Sequence, residues 1–209
     1  GNITTGSGGG IYNASTGTVD IQGGKIASNQ AKTLGGGIHL AGGVNSIQNC
    51  LIENNKTTEN TNGYGGGVYV SAGSLTITSS QISGNDARNQ GGGVYMTNSS
   101  TSVTVTNTVI SGNGAFANAS GGGVFINNGT YTMDGGEVTQ NYGTKNTKQN
   151  GYGVYVNDGT FKVKGAVQIT GNHYNNDETD ISNVYLNNKL ITIDGSLDDG
   201  QGNKAQIGV

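Results

Sequence analysis

Short apolar segments alternate with polar turns along the whole chain, and they form three sets that recur in a fixed order. The first set places an aromatic residue or His between apolar neighbours, as in Val68-Tyr69-Val70. The second set alternates apolar and polar residues, as in Leu75-Thr76-Ile77, and the third ends in an aliphatic-x-x-Asn pattern, as in Ile82 to Asn85. The segments are short, rich in β-branched residues and bounded by turn residues, so they predict β-strands.

A glycine-rich element before each first-set segment gives the chain its period. Counted from the third residue of this element, successive copies are 27, 30, 26, 30, 30 and 30 residues apart. The third residues are Gly10, Gly37, Gly67, Gly93, Gly123, Gly153 and Asn183. A period in this range indicates a solenoid of stacked coils. We therefore predict an all-β fold, a right-handed, single-stranded parallel β-helix with about seven coils of 26–30 residues and three strands per coil, forming one domain over residues 1–209.

The composition says more about which functions are excluded than about the fold. Of the 209 residues, 40 are Gly and only 32% are hydrophobic, which is typical of disorder. The periodic apolar positions overrule that interpretation, because stacked coils need only a thin core. A net charge of −3 without basic runs argues against nucleic-acid binding, and no apolar run is long enough for membrane insertion. The single cysteine, Cys50, is predicted to be buried and unreactive.

The glycine element followed by Ile or Val, paired with aliphatic-x-x-Asn, resembles the repeat of right-handed parallel β-helix surface proteins. Chlamydial polymorphic outer-membrane proteins have a related pair, Gly-Gly-Ala-Ile and Phe-x-x-Asn. Here Gly replaces the Ala and an aliphatic residue replaces the Phe, so the chain is more similar to adhesin-like surface proteins of Gram-positive gut bacteria. The resemblance implies a cell-surface or extracellular location. Because the chain starts inside a repeat, we expect a fragment of a longer surface protein whose upstream repeats cover the first coil.

The asparagines that close the third-set segments occupy equivalent positions in successive coils: Asn29, Asn55, Asn85, Asn113, Asn141 and Asn172. Stacked amides at a turn can hydrogen-bond from coil to coil. We therefore predict a structural Asn ladder and favour it over a metal or glycan site. Replacing Asn85 by Ala is expected to cost about 1–3 kcal/mol of stability.

The middle residues of the first-set segments form an aromatic column: Tyr12, His39, Tyr69, Tyr95, Phe125, Tyr155 and Tyr185. Their aliphatic neighbours are expected to face the core, so strand alternation predicts that the column is an exposed stripe on one sheet. Tyr is common in recognition surfaces, which makes the stripe a candidate binding site for a glycan or a protein. The alternative is that the rings stack on one another and only stabilise the solenoid.

The remaining motifs offer little catalytic or metal-binding chemistry. The glycine triplets precede strands rather than helices, so they indicate backbone geometry and not phosphate sites. Outward Thr pairs in the second set favour a solvated face over an ice-binding one. Two isolated histidines, His39 and His173, do not make a zinc site, and a solvated loop is favoured over a weak Ca²⁺ site at 177–180. We predict no cofactor and no metal.

We expect a non-enzymatic, adhesin-like protein that is secreted or attached to the bacterial surface. It would bind a host or environmental glycan or surface protein, or act as a stalk that presents a binding region. Recognition would use the aromatic column or the longer loops at 53–64, 142–152 and 173–182. The alternative is a carbohydrate-active β-helix enzyme, a polysaccharide lyase or glycoside hydrolase, whose active site is degenerate or lies upstream, because acids here are few and scattered. The oligomeric state is left open.

Overall fold

The computed structural model describes residues 1–14, 16–117, 120–144, 150–175 and 177–209. Within these ranges the chain forms strands and turns and no helix, so no helix there could span a membrane. The strands, in chain order, are β1 (Ile3–Thr4), β2 (Ile11–Asn13), β3 (Asp20–Ala27), β4 (Gln30–Ala31), β5 (Ile38–Glu53), β6 (Lys56–Thr57), β7 (Val68–Thr78), β8 (Gln81–Ser83), β9 (Asp86–Ala87), β10 (Val94–Met96), β11 (Ser102–Thr106), β12 (Val109–Ser111), β13 (Gly114–Ala115), β14 (Val124–Ile126), β15 (Thr130–Asp134), β16 (Glu137–Thr139), β17 (Tyr142–Gly143), β18 (Val154–Val156), β19 (Thr160–Lys164), β20 (Gln168–Thr170), β21 (His173–Tyr174), β22 (Asp177–Ile181), β23 (Val184–Leu186), β24 (Ile191–Ile193) and β25 (Gln206–Ile207).

The strands build a parallel β-solenoid, as the repeat predicts. First-set residues lie in β2, β5, β7, β10, β14, β18 and β23, and each of these strands pairs in parallel with the same strand of the next coil. Seven such strands enclose about six full turns, close to the predicted seven coils. The register keeps each column intact, so Tyr95 pairs with Tyr69 on one side and with Phe125 on the other.

The core is a narrow apolar column inside the coils. In one representative coil, Val94 and Met96 of the first set, Val103 and Val105 of the second and Ile110 of the third are all fully buried. Residues between them point away from the core, as the period of two predicts. Burying each such side chain contributes about 1.5–3 kcal/mol, and the coil-to-coil repetition of the pattern sums these small contributions along the axis.

Each coil also contains a fourth strand, which the hydrophobic pattern does not predict. Apart from β22, these strands are two residues long, and they stack into a separate sheet in the order β1-β4-β6-β9-β13-β17-β21-β22. Strands β4, β6, β9, β13, β17 and β21 directly follow the Asn of the third set. Two residues are too few to carry a periodic pattern. The last member, β22, is five residues long and runs antiparallel to β21.

Close packing of backbone explains the glycine-rich elements. A Cβ added at Gly92 would lie 2.4 Å from the carbonyl oxygens of both Gly114 and Gly122, in its own and the next coil. The preceding Gly91 has a φ of 68°, a conformation that favours glycine. The structural interpretation of the triplets therefore holds at these positions.

Candidate functional site

The Asn ladder has the coil-to-coil hydrogen bonds that the sequence predicts. Five links, each with an Nδ2–Oδ1 distance of 2.9 Å, join Asn29, Asn55, Asn85, Asn113, Asn141 and Asn172 in that order. Each Oδ1 also accepts the backbone N–H of the preceding Asn at 3.0–3.1 Å. From Asn55 onward, the second amide hydrogen is donated to a backbone carbonyl of the preceding coil at 2.9 Å. The buried amides are thus consumed by structure and are not free to bind a ligand.

Asn183, which occupies the position of the third glycine in its coil, also takes part in the ladder. The Oδ1 of Asn183 accepts both the backbone N–H and the Nδ2 of Asn172 at 3.0 Å. Its backbone carbonyl accepts the N–H of Val154 at 2.8 Å, which is the bond that the third glycine makes in other coils. Asn183 therefore fills a glycine position with its backbone and an Asn position with its side chain.

The aromatic column forms one continuous stack. From Tyr69 to Tyr185, neighbouring ring centroids are 4.9–5.2 Å apart with interplanar angles of 2–28°. At the other end, His39 packs 4.9 Å from Tyr12 and meets Tyr69 edge-on at the same distance. Such contacts add about 0.5–1.5 kcal/mol per pair beyond burial, so the stack stabilises the sheet.

The prediction of an exposed aromatic stripe is wrong for the middle of the column. His39, Tyr69, Tyr95 and Phe125 are only 4–8% exposed, although they point away from the core. The rings cover one another, and partly buried Leu34 and Tyr64 pack against them. Tyr12 is 55% exposed, while Tyr155 and Tyr185 are partly exposed. Binding by the column remains a prediction, and the described structure restricts it to the ends.

Burial also changes the acid–base properties of the column. Burial lowers the pKa of His39 to about 4 and raises the pKa of Tyr95. The Nε2 of His39 lies 3.1 Å from the Oγ of Ser71, which itself donates to the carbonyl of Leu40. The Nδ1 is buried without a hydrogen-bond partner among the described residues. His39 is therefore a buried residue of the aromatic column that is neutral at neutral pH.

A second outward column lies on the short fourth strands, one residue after each ladder Asn. Paired in register, its members are Gln30, Lys56, Asp86, Gly114, Tyr142 and His173. Unlike the aromatic column, this column changes chemistry at every coil. It places an amide, an ammonium, a carboxylate, a phenol and an imidazole on one rigid sheet.

Gly114 lets two members of this column meet. A Cβ there would lie 2.8–2.9 Å from the ring of Tyr142 and from Asp86, so the ring crosses the glycine and its hydroxyl donates to Asp86 at 3.4 Å. Burial raises the pKa of Asp86, with the Tyr142 hydrogen bond and Lys56 opposing the rise. Burial and the nearby carboxylate raise the pKa of Tyr142 to about 12. Shifted pKa values of this kind concentrate at functional sites, although structural contacts also produce them.

The loops beside this column differ in length from coil to coil. They span residues 32–34, 58–64, 88–90, 116–120 and 144–150, which is 3, 7, 3, 5 and 7 residues. Residues 118, 119 and 145–149 lie outside the described part, and with them five of the eleven residues of the predicted 142–152 loop. Loops 58–64 and 88–90 bind each other through Asn89, which donates from its backbone and side chain to carbonyls of the longer loop at 2.9 and 3.0 Å. Tyr64 stacks on Tyr95 at 4.8 Å. We call the column and these loops the loop edge.

Comparison with known proteins identifies no ligand for the loop edge. No protein-family model, curated protein or solved structure matches this chain. The function therefore has to be argued from the chain's own geometry.

A polar cleft lies on another side of the solenoid, between the turns near residues 134–137 and 165–168 and the segment 198–203. It has a volume of about 670 Å³, and its lining includes Asp134, Glu137, Asp198 and Asp199. Lys164 pairs with Asp134 at 3.1 Å, and the two C-terminal aspartates accept hydrogen bonds from their own loop. The cleft thus brings together acidic residues from two separate parts of the sequence.

Metal-binding and thiol chemistry find little support in the described ranges. They contain no group of three or more His, Cys, Asp or Glu side chains that could hold a metal ion. Residues 177–180, predicted as a solvated loop, belong instead to strand β22, which pairs with β21. There Asp177 accepts hydrogen bonds from Thr179, while residue 176 and the side chain of Glu178 lie outside the described part. Cys50 is buried, as predicted, and burial raises the pKa of its thiol.

Sequence reasoning missed the column on the fourth strands because its residues share no chemical type. One signal could have found it, namely the position directly after each Asn of the third set. That position holds six different residue types in the six copies from Asn29 to Asn172, although the Asn itself never changes. Variation beside an invariant structural residue marks a surface position that packing leaves open.

Proposed function

We propose that this protein is a non-enzymatic, adhesin-like β-solenoid of the bacterial surface or of the extracellular space, and that it recognises its partner through the loop edge. The supporting observation is the contrast between columns. The ladder and core repeat the same residue types from coil to coil, whereas the loop edge changes both side chains and loop length. Repeat scaffolds with this division carry recognition on the varied face.

The contacts of two of these loops, 58–64 and 88–90, support recognition by a preformed surface. The two loops that Asn89 connects are held to the coils by hydrogen bonds and by the stacking of Tyr64. A partner that binds ordered loops loses less conformational entropy than one that must order them. The partner classes are a host or environmental glycan or a surface protein. If the protein binds neither class, its proposed role is that of a stalk that presents another binding region.

A binding screen tests the proposal. The wild-type protein is applied to a glycan array and to immobilised host surface proteins, beside a loop-edge variant with Lys56→Ala, Asp86→Ala and Tyr142→Ala. The matched control changes the outward face of the second-set strands, with Thr76→Ser, Thr104→Ser and Thr132→Ser. Both variants must melt cooperatively. We expect saturable binding that the loop-edge variant loses and the control keeps. If instead the control variant loses binding and the loop-edge variant keeps it, recognition lies on the outward face of the second-set strands, which would contradict the proposal.

The polar cleft supports a second candidate, a carbohydrate-active enzyme. Polysaccharide hydrolysis needs two carboxylates around the scissile bond, and the cleft contains four acidic residues. Incubation with plant and mucin polysaccharides distinguishes the two functions. New reducing ends or unsaturated products, abolished by Glu137→Gln, would favour the enzyme over the non-enzymatic proposal.

A further inference from the structure

The carboxylate of Asp86, in the column of the loop edge, has almost no contact inside the protein. Its Oδ1 accepts one long hydrogen bond, from the Tyr142 hydroxyl at 3.4 Å. Its Oδ2 has no donor among the described residues and, unlike the buried unpaired atoms of His39 and Tyr131, it reaches the surface. Burial raises the pKa of Asp86, which means that the charged form is less well solvated there than in water. A cation placed at Oδ2 would therefore stabilise this carboxylate.

Most other acids of the described part already have a partner. Five of them form ion pairs with lysines, namely Glu53, Glu59, Asp134, Asp158 and Asp194. Glu137 has no ion pair among the described residues, but it is exposed, so water solvates its charge. Asp86 differs from both groups, because it combines partial burial with an oxygen that no protein group uses.

An aromatic pair lies next to this carboxylate. The ring of Tyr142 crosses Gly114, where an added Cβ would lie 2.8 Å from the Cζ of Tyr142 and 2.9 Å from the Oδ1 of Asp86. Phe116, two residues after Gly114, meets the Tyr142 ring edge-on, with 6.1 Å between centroids and 87° between planes. Both rings are half-buried. Two perpendicular rings beside a carboxylate form a corner in which an ammonium group is attracted both by the negative charge and by the rings.

Two cations of the protein lie near this corner. Arg88, two residues after Asp86, is exposed and donates from its Nε to Asn60. Lys56 pairs in register with Asp86 on the neighbouring strand, without an ion pair between them. Against the rise that burial causes, Lys56 lowers the pKa of Asp86, so its field reaches the carboxylate and would repel a second cation. Removing Lys56 should therefore tighten the binding of a cation and weaken the binding of an anion.

We propose that the corner of Asp86, Tyr142 and Phe116 binds the ammonium group of a lysine side chain on a partner surface protein. Lysine is favoured over arginine because only the Oδ2 of Asp86 is free, whereas a guanidinium donates best to both oxygens of a carboxylate at once. The proposal rests on the proposed recognition function. It narrows the partner classes to a protein, because a neutral glycan offers no cation.

Titration with a small lysine derivative tests the site. Nα-acetyl-lysine N-methylamide is added to the wild-type protein, and the ring signals of Phe116 and Tyr142 are followed by NMR. The corresponding norleucine and arginine derivatives and glucosamine serve as comparisons. We expect saturable shifts with the lysine derivative at millimolar concentration, no shifts with the uncharged norleucine derivative, and weaker binding of the arginine derivative and of glucosamine.

Four variants assign the binding to the corner. Asp86→Asn keeps the side-chain shape and an acceptor for Tyr142, and it should weaken binding about ten-fold, while Phe116→Leu should weaken it about three-fold. Lys56→Met should tighten binding about two-fold, because it removes a repelling charge. The matched control, Asp158→Asn, removes an exposed carboxylate that is paired with Lys189, and it should leave binding unchanged.

Each outcome decides the proposal. Unchanged affinity of a folded Asp86→Asn protein, equal shifts with the norleucine derivative, weaker binding by Lys56→Met, or tighter binding of the arginine derivative or of glucosamine would overturn it. Should Asp86→Asn fail to fold, the comparison of the lysine and norleucine derivatives on the wild type provides the same test.

The binding screen separates this site from the proposed function. If the loop-edge variant loses a partner while Asp86→Asn keeps that partner, the proposed function stands and the lysine site falls. If the lysine derivative binds at Asp86 but no partner in the screen depends on the loop edge, the ammonium site is supported and the proposed function falls.

Discussion

Removing one amide from the middle of the Asn ladder tests what holds the coils together. The side chain of Asn85 makes four hydrogen bonds: it donates to Asn113 and Ile52 at 2.9 Å, and it accepts from the backbone and the Nδ2 of Asn55 at 3.0 and 2.9 Å. Asn85→Ala removes all four and leaves two donors of fully buried Asn55 without their acceptor. At about 1–3 kcal/mol for each orphaned buried group, the expected cost is about 2–6 kcal/mol.

That cost exceeds the sequence-based value of about 1–3 kcal/mol, because each Oδ1 in the structure serves two donors instead of one. It is a large part of the roughly 5–15 kcal/mol that typically stabilises a domain. Guanidinium denaturation followed by far-UV circular dichroism measures it. The control, Asn187→Ala, removes one exposed hydrogen bond of 3.2 Å to Asn157 and should change stability by less than about 0.5 kcal/mol.

A double variant separates the ladder from local packing. In Asn113→Ala, the N–H and Nδ2 of Asn85 lose their acceptor, but once Asn85 is also Ala only its backbone N–H is orphaned. The two substitutions together should therefore cost clearly less than the sum of the single costs. Strict additivity, or a loss below about 1 kcal/mol for Asn85→Ala, would refute the argument that the amides act as a connected chain.

Three further substitutions test individual positions by the same denaturation. Tyr131→Phe removes a fully buried hydroxyl without a partner among the described residues, so stability should stay constant or rise by about 1 kcal/mol, whereas Phe161→Tyr in the next coil should lower it. His39→Tyr should reduce the loss of stability as the pH falls from 6.5 to about 4, because the unfolded wild type binds a proton in that window that the folded protein excludes; an unchanged pH profile would contradict the neutral, buried assignment. Gly93→Ala should cost about 1–3 kcal/mol, since its Cβ would lie 2.6 Å from the carbonyl of Gly123, while Gly6→Ala, with only ordinary contacts, should be neutral; equal effects would contradict the close-approach argument.

The solenoid and its ladder were predictable because both depend on periodicity. A repeat of 26–30 residues with apolar positions in register leaves few ways to bury the apolar face, and stacking is the one that uses every coil. The Asn column needed only its constant spacing from the third-set aliphatic residues. The short strands β4, β6, β9, β13, β17 and β21 gave no such signal, because two residues define no period.

The candidate site was harder to predict, because exposure depends on more than direction. Strand alternation correctly turns Tyr95 away from the core. It cannot show that the column neighbours Tyr69 and Phe125 stack against the ring or that Tyr64 returns from a loop to pack on it. Likewise, Asp86 and Tyr142 are 56 residues apart and meet only because Gly114 between their coils has no side chain. A repeat pattern predicts contacts between adjacent coils, so it does not reveal a contact between residues that lie two coils apart.

Asn183 shows how an asparagine can stand where other coils have the third glycine. In the coil of Gly123, an added Cβ would lie 2.9 Å from the Nδ2 of Asn141, so the ladder already fills the space beside the glycine. Asn183 stands at the equivalent position one coil after Gly153, and its side chain joins the ladder itself. A side chain is then tolerated at position 183, and an amide there is the residue that satisfies Asn172. The substitution that weakens the sequence repeat is thus the one that gives the buried amide of Asn172 its acceptor.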